Sequence, residues 1–596
     1  MKKILLLSLT ILLMLTMVGC EDFLNQPPYD DFTDAEYWKN EEQARVFMQG
    51  FYTSIFSGYG SGASHGPFLM GQTSNDDFAS DVEQKDLTPL PLVVPEADGS
   101  WSFTNIRKAN YVLENIDRID ANAATKNHWR GVARFFRACY YSNLVFRYGD
   151  VPWYDRVPKL STSKEDMDYL YKNRESRVYV DSCIMADFQY AMDSVRSNDG
   201  NLQINKYVVA AMASRLMLRE GTFLKYHNLD PIMAEKCLRM AKQAAEMVMS
   251  SGKYTIAPSY KSLFVSEDLN GNPEIIMYRR YESGLLSHST LAYSYTEAQA
   301  GLSRSLAEAF VDGVTGLPIY AKDSCWKATT AKDFFAGRDS RLAMCIRSQK
   351  DKYCVKGENL TPFNYALSGY AWNKFMDDSK AGETNATWAK EKNTTDAPCV
   401  RYAEVLLNYA EAAYELHLLV GDAFTQADLD NSINLIRARA DVKLPALQMV
   451  GDQPAVNGVT FDDPKRLQIE QVANDGKLIT PALLWEIRRE RRVELCMEGF
   501  RLNDLKRWCK LDYMWNGCNP DIRYGAYIIL AEYPNREKKE IVLEDPKAKE
   551  GYILRNTLGQ RNRPGKYDYI EPIPSSQITL YKSKGYELSQ NEDWGW

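Results

Sequence analysis

The chain has 596 residues, 45% hydrophobic and 12% aromatic, which is ample material for a packed core and excludes a disordered or collagen-like chain. Its 72 basic residues are outnumbered by 79 acidic ones, and a net charge of −7 leaves no electrostatic footprint for a nucleic-acid partner. Length alone does not set a domain count, because helical repeats grow as one body.

At the amino end, Lys2 and Lys3 precede an apolar run from Ile4 to Val18, the pattern of an export leader. The run is about 15 residues, short of the roughly 20 that cross a bilayer. Residues 1–19 are therefore expected to be removed, which strips two positive charges and leaves a net charge of −9. Met17-Val18-Gly19-Cys20 resembles a bacterial lipobox, which makes Cys20 the first mature residue and the carrier of a lipid anchor. An ordinary secretory signal ending in Cys is the other reading. Of the remaining cysteines, Cys139, Cys183, Cys237 and Cys399 fall in or beside helical apolar patterns, where a buried free thiol is the ordinary outcome. None of the cysteines is spaced as C-x-x-C, so zinc and redox motifs are absent and no cofactor is expected.

Helix patterns follow. Trp129, Val132, Phe136, Cys139, Tyr140 and Leu144 recur at three- and four-residue steps, predicting one long helix ended by Gly149 and Pro152. Ala234, Cys237, Leu238, Ala241, Ala244, Ala245 and Val248 repeat the pattern, with Gly252 just beyond. Further helices are predicted near 106–120, 176–196, 206–221, 401–419, 428–440 and 482–498. Small residues at the crossings, such as Ala210, Ala211 and Ala213 with Ala241 and Ala245, make the helix pairs resemble tetratricopeptide units. The expected class is all-α, mainly helical. Between about 255 and 398, and again between about 512 and 580, the period fades into Gly, Pro, Asn, Ser and Tyr, and loops of that length usually carry function.

Several pieces in a fixed order are more specific than any of them alone. They are Cys20-Glu21-Asp22-Phe23-Leu24, the stretch Trp101 to Asn115, and Arg134-Phe135-Phe136-Arg137-Ala138 running into Tyr148-Gly149-Asp150-Val151-Pro152. Arg401-Tyr402-Ala403-Glu404, Ile487-Arg488-Arg489-Glu490-Arg491, Glu498-Gly499-Phe500-Arg501, Asp504-Leu505-Lys506-Arg507-Trp508 and Pro572-Ile573-Pro574 complete the series. In this order the chain resembles the SusD/RagB-like outer-membrane nutrient-binding lipoproteins of Bacteroidetes. The resemblance implies one helical body with about four tetratricopeptide-like units and a loop-rich ligand face. It implies a leader at 1–19, an N-terminal region at 20–254, a ligand-face insertion at 255–398 and a C-terminal region at 399–596. It also implies a lipid-anchored protein of the outer membrane, facing the exterior, that captures oligosaccharide for a TonB-dependent transporter of the SusC type. Glu21 and Asp22 resemble the acidic signal that sends such lipoproteins to the outer leaflet.

Sugar recognition needs a flat aromatic face for the C–H side of a ring, and amide, carboxylate or guanidinium groups for the hydroxyls. Trp101 with Asn105 offers both, and the resemblance places a ligand-contacting tryptophan near Trp101; seating the loop on the following helix is the alternative role. Asn75, Asp76 and Asp77 are candidates to accept sugar hydroxyls, against an Asx turn or helix cap. Tyr281, Tyr295, Trp326 and Trp372 are further aromatic candidates, each weighed against simple packing. Alternation would put Tyr293 and Tyr295 on one face of an extended segment. The charged run from Arg488 to Arg507 reads as cross-helix pairing. Five His residues, none in a ligand spacing, and the lack of nucleophile-elbow or phosphate-loop motifs give no support to catalysis, so no enzyme activity is expected. Peptide or glycopeptide binding, a lipid-anchored glycoside hydrolase and a pure assembly scaffold are the rival readings.

Overall fold

The structure, a computed structural model, describes residues 37–66, 75–79, 93–159, 161–296, 301–321, 334–347, 353–355, 358–360, 366, 368–377, 390–473, 479–532, 541–555 and 563–592. The leader, Cys20 and Trp326 lie outside the described residues.

The fold is mainly helical. Nine helices frame the site: α1 Glu41–Gln49, α2 Thr104–Asn115, α3 Ala123–Tyr148, α4 Arg177–Ser194, α5 Lys206–Tyr226, α6 Pro231–Met249, α7 Tyr402–Val420, α8 Ala482–Glu494 and α9 Arg501–Arg507. Their starts are written locally. Asn122 accepts from Thr125 N at the head of α3, Asn205 accepts from Tyr207 N and Val208 N at the head of α5, and Asp230 followed by Pro231 opens α6. Gly149, at φ +74°, stops α3, and Gly421, also left-handed, stops α7. Chain neighbours pack on one another, α2 on α3, α3 on α4 and α5 on α6, with α7 laid against α6. Their shared faces form the first core cluster, from Trp129, Val132 and Phe136 to Ala241, Ala245, Ala403 and Ala410.

Two predicted helices differ from expectation. The one placed over 428–440 is two short turns, Gln426–Asp430 and Ile433–Arg437, because Ser432 leaves helical geometry and turns its hydroxyl back to Asp428 O. The one placed over 482–498 ends at Glu494, and the chain then passes Met497 and Gly499, both at positive φ.

Strands are short. β1 Ile275–Arg279 pairs antiparallel with β2 Ala397–Arg401, and β3 Tyr524–Ile529 pairs antiparallel with β4 Glu550–Leu554. They belong to a second core cluster, built from Tyr59, Tyr260, Phe264, Phe310 and Trp372 with Val493, Cys496 and Ile553. Tyr293 lies in a helix, Thr290–Thr296, and not in an extended segment, so the alternation argument for Tyr293 and Tyr295 does not hold. Cys139, Cys183, Cys237, Cys345, Cys399, Cys496, Cys509 and Cys518 are unbridged, with Cys139 and Cys237 buried.

The two clusters meet along a buried ion network. Glu494 on α8 receives Arg401 at 2.6 Å, Arg439 at 2.6 Å and Arg341 at 2.8 Å. Arg401 also reaches Glu498 at 2.7 Å and Glu274 at 3.0 Å, and Lys374 reaches Glu498 at 2.7 Å. A neighbouring set joins Glu411 of α7 to Arg507 at 2.6 Å and to the indole N–H of Trp508 at 2.6 Å. Every one of these groups is buried, so each charge depends on its partners for solvation. The cross-helix reading of the charged run is therefore correct in kind, with the partners drawn from segments far away in the chain.

Candidate ligand-binding site

Trp101 follows a tight turn in which its N–H donates to Asp98 O at 3.2 Å and Ser100 N donates to Asp98 Oδ1 at 2.8 Å. The indole is half-buried. Its inner side meets Tyr148, at the end of α3, edge-on at 5.0 Å, and Phe103 edge-on at 5.5 Å. Asn105, in the first turn of α2, is also half-buried.

Charged groups stand beside this ring. The Tyr148 hydroxyl donates to Asp98 Oδ2 at 2.5 Å, Arg147 lies 3.3 Å from the same carboxylate, and its Nε donates to Glu571 at 2.5 Å. Burial alone would raise the Asp98 carboxyl; the Tyr148 hydroxyl, Ser100 and Arg147 outweigh it and hold Asp98 below its ordinary value. Asp98 is thus an anion with fixed geometry, while Arg147 and Glu571 keep 40% and 37% of their side chains open to solvent. A half-exposed aromatic plate and a carboxylate–guanidinium–carboxylate row form one polar and aromatic patch, with Asn105 four residues further along the chain from the ring. Asp98, Arg147 and Glu571 carry no periodic signal; Glu571 is 424 residues from Arg147, so only the fold brings them together.

The acidic candidates have other partners. Asn75, Asp76 and Asp77 are buried. Asn75 Oδ1 accepts from Asp77 N at 2.8 Å, an Asx turn. Asp76 takes a bidentate pair from Arg501, at 2.7 Å for both Nε and Nη2, and Asp77 takes Arg492 at 2.7 Å. Their carboxylates are occupied by guanidinium groups inside the protein and share no contact with Trp101. Tyr281 is 3% exposed, donating its hydroxyl to Gly60 O at 2.7 Å, and Trp372 is 5% exposed, edge-on to Phe78 at 5.8 Å. Both pack in the second core cluster. The side chain of Tyr295 and the whole of Trp326 fall outside the described residues. Among the described residues no group of His, Cys, Asp and Glu is placed to hold a metal ion, and no helix is long and apolar enough to cross a membrane.

A family model described as the SusD family matches residues 273–596. The chain belongs to the SusD family. A second model, described as "Starch-binding associating with outer membrane", matches residues 97–218 of this SusD family protein. SusD-like protein P2 of Formosa agariphila is 23% identical over 518 residues, 83% of this chain and 89% of that protein. SusD-like protein P25 of the same organism is 21% identical over 595 residues, 91% and 98% of the two chains. A SusD-like carbohydrate binding protein from Bacteroides fragilis superposes with a TM-score of 0.64 at 20% identity, covering 91% of this chain and 99% of the other. A laminarin binding SusD-like protein does so with a TM-score of 0.54 at 15% identity, covering 94% and 100%. In this SusD family member, Arg401, Glu490, Glu498, Asp504 and Arg507, residues that carried much of the resemblance, sit in buried ion pairs, and Arg501, partly buried, pairs with the buried Asp76. Those motifs maintain the fold.

Proposed function

We propose that this SusD family protein binds oligosaccharide at Trp101 on the outer face of the outer membrane, held there by a lipid on Cys20. It passes the sugar, unaltered, to a TonB-dependent transporter of the SusC type. The observation that carries the reading is the half-exposed Trp101 ring on Tyr148, with Asp98, Arg147 and Glu571 linked beside it. The C–H face of a pyranose lies on the indole, and the fixed carboxylate, the amide and the guanidinium take its hydroxyls. Family membership and the carbohydrate- and laminarin-binding names of similar proteins support the same ligand class.

A glycan array with the lipid-free protein identifies the sugar, and affinity electrophoresis in that glycan tests the site. Trp101→Ala is expected to weaken retention about tenfold, the loss of roughly 1.4 kcal/mol of contact. Unaltered retention on every glycan bound by the unmutated chain removes the site from Trp101. Incubation with those polysaccharides is expected to give no new reducing ends; their appearance would replace capture by hydrolysis.

A further inference from the structure

A cavity of about 300 Å³ opens between α3, α5, the start of α7 and the segment from Arg491 to Arg507. Cys139 and Asn143 line it from α3. Trp101 packs on Tyr148, which lies roughly 140–180° around that helix from Cys139 and Asn143, so the cavity and the Trp101 patch are on opposite sides of α3.

Five arginines line this cavity, and four of them are neutralised. Arg215 meets Glu404 at 2.5 Å, Arg401 meets Glu494 at 2.6 Å, Arg491 meets Asp504 at 2.9 Å and Arg507 meets Glu411 at 2.6 Å. Arg219 is different. Its Nη1 donates to Asn143 Oδ1 at 3.1 Å, and its Nη2 donates to Ser142 O at 2.8 Å and to Ser142 Oγ at 2.9 Å. The guanidinium lies over the Phe146 ring at 4.4 Å, its Nε has no partner, and among the described residues no carboxylate stands within ion-pair distance. Burial lowers its pKa to about 10, against the pull of Glu220 and with repulsion from Arg177 and Arg215, so it stays charged at neutral pH. The carboxylates that also line the cavity, Glu404, Glu498 and Asp504, are taken by Arg215, Arg401 and Arg491, so Arg219, whose own acceptors are all neutral, calls for an anion.

We propose that this cavity is a second binding site, separate from Trp101, for a small polyhydroxy carboxylate such as a uronic acid. The volume is at the small end for ligand cavities and suits one sugar ring better than an extended chain. The carboxylate meets Arg219, the exposed amides of Asn143 and Asn503 take hydroxyls, and the half-exposed Phe500 ring supplies an apolar wall. The inference goes beyond the reading given for Trp101 and does not depend on it.

Titration calorimetry of the lipid-free chain with sodium glucuronate, glucose and acetate tests it. Glucuronate is expected to bind at least tenfold more tightly than glucose or acetate. Arg219→Gln is expected to lose at least tenfold. Asn143→Asp, at an exposed position, leaves Arg219 in place and puts a carboxylate where the amide oxygen already accepts, so it is expected to block glucuronate while the melting temperature holds or rises. Trp101→Ala is expected to leave glucuronate binding unchanged, which separates this site from the first. No glucuronate binding, or binding undiminished by Asn143→Asp, overturns the proposal; acetate binding as tightly as glucuronate overturns its sugar component.

Discussion

Glu494 is the residue on which the two core clusters most depend. Three guanidinium groups, from Arg341, Arg401 and Arg439, all buried, converge on one buried carboxylate. Removing it leaves those cations with fewer counter-charges in a buried setting, and Glu494→Ala is expected to cost about 3–5 kcal/mol, measured by urea denaturation. Burial by itself would raise the Glu494 carboxyl; Arg439, Arg401 and Arg341 overcome that and hold it well below its ordinary value of 4.5. A carboxyl depressed on folding contributes stability that is complete above the unfolded value and drains away as pH falls towards the folded one. Denaturation midpoints are therefore expected to drop as pH goes below about 4.5, and a Glu494→Gln chain, which lacks this titration, should show a shallower acid slope. Sequence alone exposes the charge run but not this convergence, since Arg341 and Glu494 are 153 residues apart.

At the scale of elements, the close approach of α5 and α6 rests on Gly221. A Cβ there would stand 2.8 Å from Leu238 Cγ and 3.0 Å from both Ala234 O and Leu238 N, and the last two are backbone atoms that cannot step aside. Gly221→Val is expected to destabilise by about 1–3 kcal/mol and to lower the melting temperature, although an isolated helix would prefer any side chain to none. The long helices were legible because their apolar spacing and caps are local: the period through Trp129, Val132 and Phe136 and the stop at Gly149 need no distant partner. The break at Ser432 was not legible. Ser, Asn and Asp can turn a side chain back on the backbone inside an otherwise helical pattern, and the choice is made by surrounding structure.

For the molecule as a whole, the candidate site was only half written in local sequence. Trp101 and Asn105 stand out by chemistry, but Asp76 and Asp77 were also candidates against an Asx turn or helix cap, and only the arrival of Arg492 and Arg501 more than 400 residues later in the chain takes them inward. The Trp101 loop has a long-range counterpart too: Ser575 N donates to Pro95 O at 2.9 Å and Ser576 N donates to Glu96 O at 3.0 Å, while Glu571 holds Arg147. Truncation after Tyr569 is expected to lower the melting temperature and to weaken glycan retention, read by the same electrophoresis, because the loop loses both backbone bonds and its charged neighbour. A nascent polypeptide is made from its amino end, so the loop is translated early and completed late. On the sugar site proposed at Trp101, prematurely terminated products lack the finished loop, and nothing short of the nearly complete polypeptide would compete with intact copies for ligand.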